Sequence, residues 1–374
     1  MHLRPRLNRL LRLLEQGYEP LSTIEISSQA ILSNYDAYCQ EFPNNIFWPV
    51  IKSNAYGHGL ETIVRILKDR QFQYFVADSY YEALKIWSVS SHPVLIIGST
   101  LPQNYSKMDF SRLALMVQDK ITLEALASLR KPIKIHLKIN TGLNRQGIDI
   151  ATLSDYLIFI SKHPFIELEG IMSHLADADN PKDKYTPRQL KVFDRCLSLV
   201  NSSGFRPKFV HLSATAGVTK ICLTQINTVR LGLGLYGYGT ISGLQPALTF
   251  KSVITQINHL KKGDRVGYNL TYTAPRSLNY AVIPVGYFEG LDRRLSNLGF
   301  VKYQNTYLPI IGRISMNLTV VNLLDTHPQL FDPVEIISSN PSDKNSLPSM
   351  ANQCDTIPYD LLVHLTESVR RVAQ

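Results

Sequence analysis

FWPVIKSNAYGHG, residues 47–59, decides how the chain folds. A run of aromatic and branched residues ends in Lys52, and a turn-prone Ser-Asn, a tyrosine and Gly-His-Gly follow at once. Burying an unpaired ammonium is costly, so a lysine at the inner end of a buried strand needs a reason. Working outward, seven more short β-rich runs follow: YFVAD (74–78), VLIIG (94–98), LALMV (113–117), IKIHLKIN (133–140), LEGIMSH (168–174), KFVHLS (208–213) and NTVRLGLGLYG (227–237). Helix-period segments lie between several of them. LETIVRILKDR puts Leu60, Ile63, Val64 and Leu67 on one face, and TPRQLKVFDRCLSLV does the same with Leu190, Phe193, Leu197 and Val200. Eight strands alternating with helices predict an α/β fold, a closed (β/α)8 TIM-like barrel. An open doubly wound sheet is the alternative, but no GxGxxG follows the first strand.

Beyond Gln245-Pro246 the texture changes. KSVITQINHL, NYAVIPVGY, FVKYQNTYLPIIGRIS, LTVVNLL and VEIIS are strand-like and separated by turns, with one helix, YDLLVHLTESVRRV, expected at the end. The organisation read from this is a basic N-terminal extension at 1–20, a barrel at 21–245 and a mostly β domain at 246–374. TIEIS at 23–27 is an extra strand before the barrel, able to pair with the second domain.

Composition narrows the function classes. Hydrophobic content of 44% and charged content of 18% are ordinary for a globular protein. No stretch of 18 apolar residues predicts a membrane span. The net charge of +9 is densest in MHLRPRLNRLLRLLEQ, whose arginines leave no signal-peptide core; it reads as a solvated extension, not a nucleic-acid site. Cys39, Cys196, Cys222 and Cys354 are scattered without a CxxC, which points to a reducing cytoplasm and to neither disulfides nor a zinc site. Asp177 and Asp179 lack a third ligand at suitable spacing, so no metal is expected.

Barrel enzymes keep their chemistry at the C-terminal ends of the strands. Lys52 ends the first strand, Lys138 and Asn140 the fifth with Arg145 just beyond, and His174 the sixth; Ser213 and Thr215 follow the seventh, and Arg230 lies in the eighth before Gly232 and Gly234. A lysine amine there can form a Schiff base with a substrate carbonyl or with pyridoxal phosphate. The latter needs a phosphate cradle, for which Tyr56, Thr215 and the glycines of RLGLG are candidates, and a partner for the ring nitrogen, for which Arg230 is the candidate. Arginine can only donate. It leaves the ring nitrogen unprotonated and the ring a weaker electron sink, which suits removal and quick return of one proton.

These residues, with VIKSNAYGHG (50–59), HLKINTGLNRQG (136–147), EGIMSHLADAD (169–179), VRLGLGLYG (229–237), VGYNLTYTAPR (266–276), PVGYFEGLDRRLSN (284–297), PIIGRISMN (309–317) and TIPYD (356–360), make the chain resemble the alanine racemase family from about residue 20 to its end. The resemblance implies a pyridoxal 5'-phosphate enzyme that interconverts L- and D-alanine with two bases. Lys52 would hold the cofactor and serve as one base; Tyr268 of the partner subunit would be the other, so each site of a homodimer would be shared. It further implies Tyr56, Thr215, Gly232, Leu233 and Tyr359 around the phosphate, Arg230 at the ring nitrogen, and His174 linking that arginine towards the tyrosine. Arg145 and the Met316 backbone would meet the substrate carboxylate, and Tyr287, Asp179, Arg293 and Arg313 would line the corridor to the site. Lys138 matches a lysine often N-carbamylated in the family. His58, His136 and His211 are read as structural or second-tier groups.

The chain departs from the family pattern at four places. Asn140 and Asn317 stand where aspartate is usual, Ala214-Thr215 replaces Asn-Ser, and Asp360 replaces glutamate. These bear on substrate range and rate. The alternatives are a racemase of serine or of a broader range of amino acids, and a related barrel decarboxylase, whose chemistry would favour an acidic partner for the ring nitrogen.

Overall fold

The computed structural model describes residues 17–221 and 225–374; the basic stretch at 1–16 and Cys222 lie outside the described residues. The chain forms two compact units. One holds Ser27–Ala247 with the last two residues, and the other holds the described residues up to Ile26 with Leu248–Val372.

The strand β1 (Thr23–Ile26) belongs to the second unit and is described with it. In the first unit all eight strands expected from the sequence form: β2 (Ile46–Pro49), β3 (Phe75–Ala77), β4 (Val94–Ile96), β5 (Leu113–Val117), β6 (Ile133–Lys138), β7 (Ile166–Met172), β8 (Phe209–His211) and β9 (Thr228–Leu231). β3 to β8 make one parallel sheet in sequence order, and β2 pairs in parallel with β9. Parallel bridges Val50↔Val76 and Ala214↔Arg230 join the two sheets at both seams, which closes the ring. β3, β4 and β5 are apolar and buried at every residue, as in a sheet wrapped by helices. Trp48, Tyr74, Val76, Leu95, Ala114 and Phe209 pack together, the Trp48 ring meeting Phe209 edge-on at 4.7 Å between centroids.

The helix Leu60–Leu67 buries the face read from its spacing, Leu60, Ile63, Val64 and Leu67. Thr186–Ser202 buries Phe193, Leu197 and Val200, but Leu190 is only half-buried and Gln189 takes the inner position beside it. Between β4 and β5 the connection is two short 3-10 segments, Pro102–Lys107 and Phe110–Arg112, in place of an α-helix.

The second unit is mostly β. β10 (Leu248–Val253) pairs antiparallel with β1 in the register Thr23↔Lys251 to Ile26↔Leu248. β1 alternates buried Ile24 and Ile26 with Thr23 and Glu25, and Glu25 meets Lys251 at 2.6 Å. β11 (Gln256–Leu260) pairs with β14 (Leu278–Ile283), and the short β12 (Arg265–Val266) and β13 (Tyr272–Thr273) form a hairpin. With β15 (Phe300–Tyr303), β16 (Thr306–Pro309), β17 (Thr319–Asn322), β18 (Pro333–Ile337) and β19 (Arg370–Ala373), the sheets run β16-β15-β18-β10-β1-β19 and β11-β14-β17. The helix expected over 359–372 is shorter: it spans Pro358–Val363, and Arg370–Ala373 is β19 beside β1. The Thr366 hydroxyl takes the Ser368 N–H, which offers the backbone an alternative to continuing the helix. A further helix, Leu347–Gln353, was not expected from the sequence. Among the described residues no helix is long and apolar enough to cross a membrane.

Candidate active site

The barrel unit gathers Lys52, Tyr56, Lys138, Arg145, His174, Thr215, Arg230, Gly232 and Leu233; Tyr268, Met316 and Tyr359, with Tyr287, Arg293 and Arg313, belong to the second unit.

After Lys52 the backbone turns the wrong way. Ser53, Asn54, Ala55 and Tyr56 all lie near φ +52 to +55°, one turn of left-handed helix. Side chains disfavour this conformation by about 1–2 kcal/mol per residue, so other contacts must hold it. Glu82 does so from the helix Tyr80–Trp87: Ser53 N donates to its Oε1 at 2.6 Å and Asp78 N to its Oε2 at 2.7 Å. Asn54 Oδ1 accepts from Leu60 N at 2.9 Å, filling the capping role that Gly59 cannot. The turn sends Lys52 and Tyr56 from one short segment to the same barrel mouth. Lys52 Nζ lies 4.0 Å from Asp78 Oδ1, a half-exposed carboxylate that the sequence reading did not single out, nor did it single out Glu82.

Arg230 is buried to 3% exposure. Nη1 donates to His211 Nδ1 at 2.8 Å and to the His211 carbonyl at 3.1 Å; Nη2 donates to the Ser173 carbonyl at 2.8 Å and to His174 Nδ1 at 3.1 Å. Nε–H stands outside these bonds among the described residues. Burial lowers the guanidinium to about 10, so it keeps its charge at neutral pH. Burial, then the charges of Arg230, Arg145, Lys138 and Lys52, hold His174 down at about 3, a neutral imidazole. Gln189 braces it: its Nε2 donates to the His174 carbonyl and to Thr141 Oγ1, both at 3.0 Å.

Lys138 is 6% exposed, and its Nζ donates to Gln146 Oε1 at 2.7 Å. Burial, then Arg230, Arg145 and Lys52, push its amine down to about 8. Asn140 accepts from the Gly142 and Asn144 amides at 3.1 and 3.0 Å, so the neutral amide shapes the loop that carries Arg145.

A phosphate cradle is visible at the end of β9. The amides of Gly232 and Gly234 converge on Thr215 Oγ1 at 3.2 and 3.1 Å. A Cβ at Gly232 would stand 3.2 Å from Tyr56 Oη and 3.8 Å from Thr215 Oγ1, so glycine keeps open a space edged by two hydroxyls. Burial raises Tyr56 to about 12, which keeps its phenol protonated and a donor. Amide N–H groups, two hydroxyls and a nearby buried guanidinium suit a dianionic phosphate and an adjoining ring nitrogen, so these residues fit pyridoxal phosphate.

In the second unit Tyr268 opens a 3-10 turn, Tyr268–Leu270, between β12 and β13 and is 67% exposed. Phe288 N donates to the Met316 carbonyl at 2.9 Å, and Tyr287 N to the Ser315 carbonyl at 3.1 Å. A Cβ at Gly286 would lie 2.2 Å from the Ser315 carbonyl, so this approach needs glycine. Asn317 Nδ2 donates to Glu289 Oε1 at 2.6 Å; an aspartate there would face a carboxylate. Asp360 meets Arg294 at 3.0 Å beside Tyr359 on its helix. Arg293 opens the 3-10 turn Arg293–Leu295. Among the described residues no group of three His, Cys, Asp or Glu is arranged for a metal.

Comparison with known proteins agrees over both units. Residues 26–240 match the family model "Alanine racemase, N-terminal domain" and residues 247–373 "Alanine racemase, C-terminal domain". The alanine racemase of Francisella philomiragia is 32% identical over 369 residues, covering 94% of this chain and 99% of its own. An alanine racemase from Streptomyces lavendulae shares the fold at a TM-score of 0.90 with 23% identity, over 96% of this chain and 98% of that one. The alanine racemase of Bartonella henselae, solved with covalently bound pyridoxal phosphate, superposes at 0.86 with 25% identity, over 95% of this chain and all of its own. The chain belongs to the alanine racemase family.

Proposed function

We propose that this protein interconverts L- and D-alanine with pyridoxal phosphate, using Lys52 and Tyr268 of the partner subunit as the two bases. When bound, the cofactor draws electron density from the substrate's α-carbon and makes its proton removable. Lys52 anchors the cofactor through its amine and moves a proton on one face of the α-carbon; the Tyr268 phenol moves one on the other. Two bases on opposite sides invert the centre without turning the substrate over. Tyr56, Thr215, Gly232, Leu233 and Tyr359 hold the phosphate, Arg230 donates to the ring nitrogen, His174 braces Arg230, and Arg145 with the Met316 backbone takes the substrate carboxylate. Lys138 carries an N-carbamate: its neutral amine attacks CO2, forming the N–C bond and releasing one proton, and the resulting anion pairs with Arg145.

The observation that carries this reading is Arg230, buried, fixed by five acceptors and able only to donate, beside a glycine-lined cradle at the mouth that holds Lys52. It argues against the decarboxylase alternative, which favours an acidic partner. A homodimer is supported by the exposed Tyr268, Leu270, Tyr287, Phe288, Met316 and Leu318 on the second unit, an aromatic and apolar set of the kind that partners cover. Cys39, Cys196 and Cys354 are free thiols, as in a reducing cytoplasm, where D-alanine would serve as a cell-wall precursor.

The test follows visible absorbance and the exchange of the α-hydrogen with solvent deuterium for each alanine enantiomer. Lys52→Ala loses the borohydride-sensitive colour and all exchange. Tyr268→Phe keeps the colour and loses exchange of mainly one enantiomer; equal exchange of both would reject the two-base assignment.

A further inference from the structure

Behind Arg230, a line of buried side chains crosses the barrel interior. His211 Nε2 lies 2.8 Å from His136 Nδ1, and His136 Nε2 lies 3.2 Å from Glu169 Oε2. Glu169 also accepts from Tyr74 Oη at 2.6 Å and, on its other oxygen, from Lys134 Nζ at 2.8 Å. His136 and His211 are fully buried and Glu169 is 2% exposed. We propose that Glu169 is a positioning residue for Arg230: through His136 and His211 it fixes the tautomer of both imidazoles, so that Arg230 meets only a lone pair and is held in place toward the cofactor ring. The inference rests on the reading of Arg230 as the ring-nitrogen partner.

The direction of every bond follows from the two ends. A carboxylate only accepts and a guanidinium only donates. His136 must therefore carry its hydrogen on Nε2, facing Glu169, and expose a bare Nδ1. His211 must then donate from Nε2 and offer its bare Nδ1 to Arg230 Nη1, 2.8 Å away. Each ring holds one hydrogen, and burial disfavours a second on either. The rings cannot swing aside. Trp48 packs edge-on against both, at 5.8 and 5.2 Å between centroids. A Cβ at Gly170 would sit 2.1 Å from His136 Nδ1, so the strand needs glycine there to admit the ring.

Glu169→Gln reverses the line. The Lys134 ammonium takes the amide oxygen, the NH2 turns to His136 Nε2, and both tautomers must flip. His211 Nδ1–H then faces Arg230 Nη1–H, donor against donor.

Histidine tautomers are read by NMR in 15N-histidine-labelled protein free of cofactor. The expected result is hydrogen on Nε2 alone for His136 and His211 from about pH 6 to 9. Glu169→Gln moves both to Nδ1, shifts the visible band of the cofactor-loaded protein and weakens cofactor retention ~10-fold; Glu169→Asp restores the wild-type pattern. Nδ1–H or mixed tautomers in the wild type would overturn the proposal, as would a flip in Glu169→Gln that leaves the band unmoved. Arg230→Gln separates the two readings. If it leaves the band unmoved, the reading of Arg230 fails; if it moves the band and Glu169→Gln does not, the relay alone fails. Should Glu169→Gln not fold, His136→Phe, which cuts the line and keeps a ring, is read for the same band shift with the same two outcomes.

Discussion

At Lys138, burial and three cations leave an amine near 8 with one neutral acceptor, Gln146. Only the neutral amine attacks CO2. Its carbamate resonance, followed by NMR under 13C-labelled CO2, is therefore expected to grow as pH rises through about 8 and to fade below it; a Lys138→Met protein lacks the signal. The histidines make a second pH prediction. His136, His174 and His211 are all held neutral, with folded values below the ordinary 6.5. The unfolded chain takes up protons below that value and the folded chain does not. The stability they confer is complete above about pH 6.5 and is lost as pH falls, at up to about 1.4 kcal/mol per pH unit for each ring. Urea unfolding of the cofactor-free protein should weaken steeply from pH 6.5 to about 5, and His174→Gln should lower that slope by about one proton. A flat profile would contradict the buried neutral rings.

At the scale of the element, the decisive feature is the left-handed turn Ser53–Tyr56. Four strained residues persist because Glu82 takes the Ser53 N–H and Asn54 ties the turn to the Leu60 N–H of the next helix. Glu82→Ala removes the acceptor for two N–H groups, and the expected cost is about 1–3 kcal/mol. The measurable outcome is a lower unfolding midpoint and weaker cofactor retention. Glu82→Gln, which keeps one oxygen acceptor, should fall between the two. A cofactor-binding constant unchanged by Glu82→Ala would show that the turn does not depend on this carboxylate.

For the whole molecule, the proposed bases lie on two different folding units. A shared dimer site makes a distinctive prediction. Lys52→Ala and Tyr268→Phe chains, each inactive alone, are unfolded together and refolded as a mixture. Half of the dimers are then mixed, and each mixed dimer rebuilds one native site of two, so about a quarter of native activity should return. No recovery is the outcome if both bases come from one chain.

The sequence by itself determined the eight strands, because a parallel strand buried on both faces is mostly apolar and branched, and that signal is local. It also placed Lys52 and His174 at strand ends, where barrel chemistry gathers, and Arg230 in the last strand. It did not reveal Glu82, Gln189, Asp78 or Glu169 as partners of the site. Glu169 reads as an ordinary charge inside a strand, and its partners, Tyr74 just before β3 and Lys134 and His136 of β6, lie far away in the chain. Nor did periodicity show that 370–373 would be a strand, since its pairing beside β1 lies more than 340 residues away. Burial pattern is written one residue at a time, whereas hydrogen-bond partners and the tautomers they impose exist only once distant segments meet, so only the tertiary structure decided them.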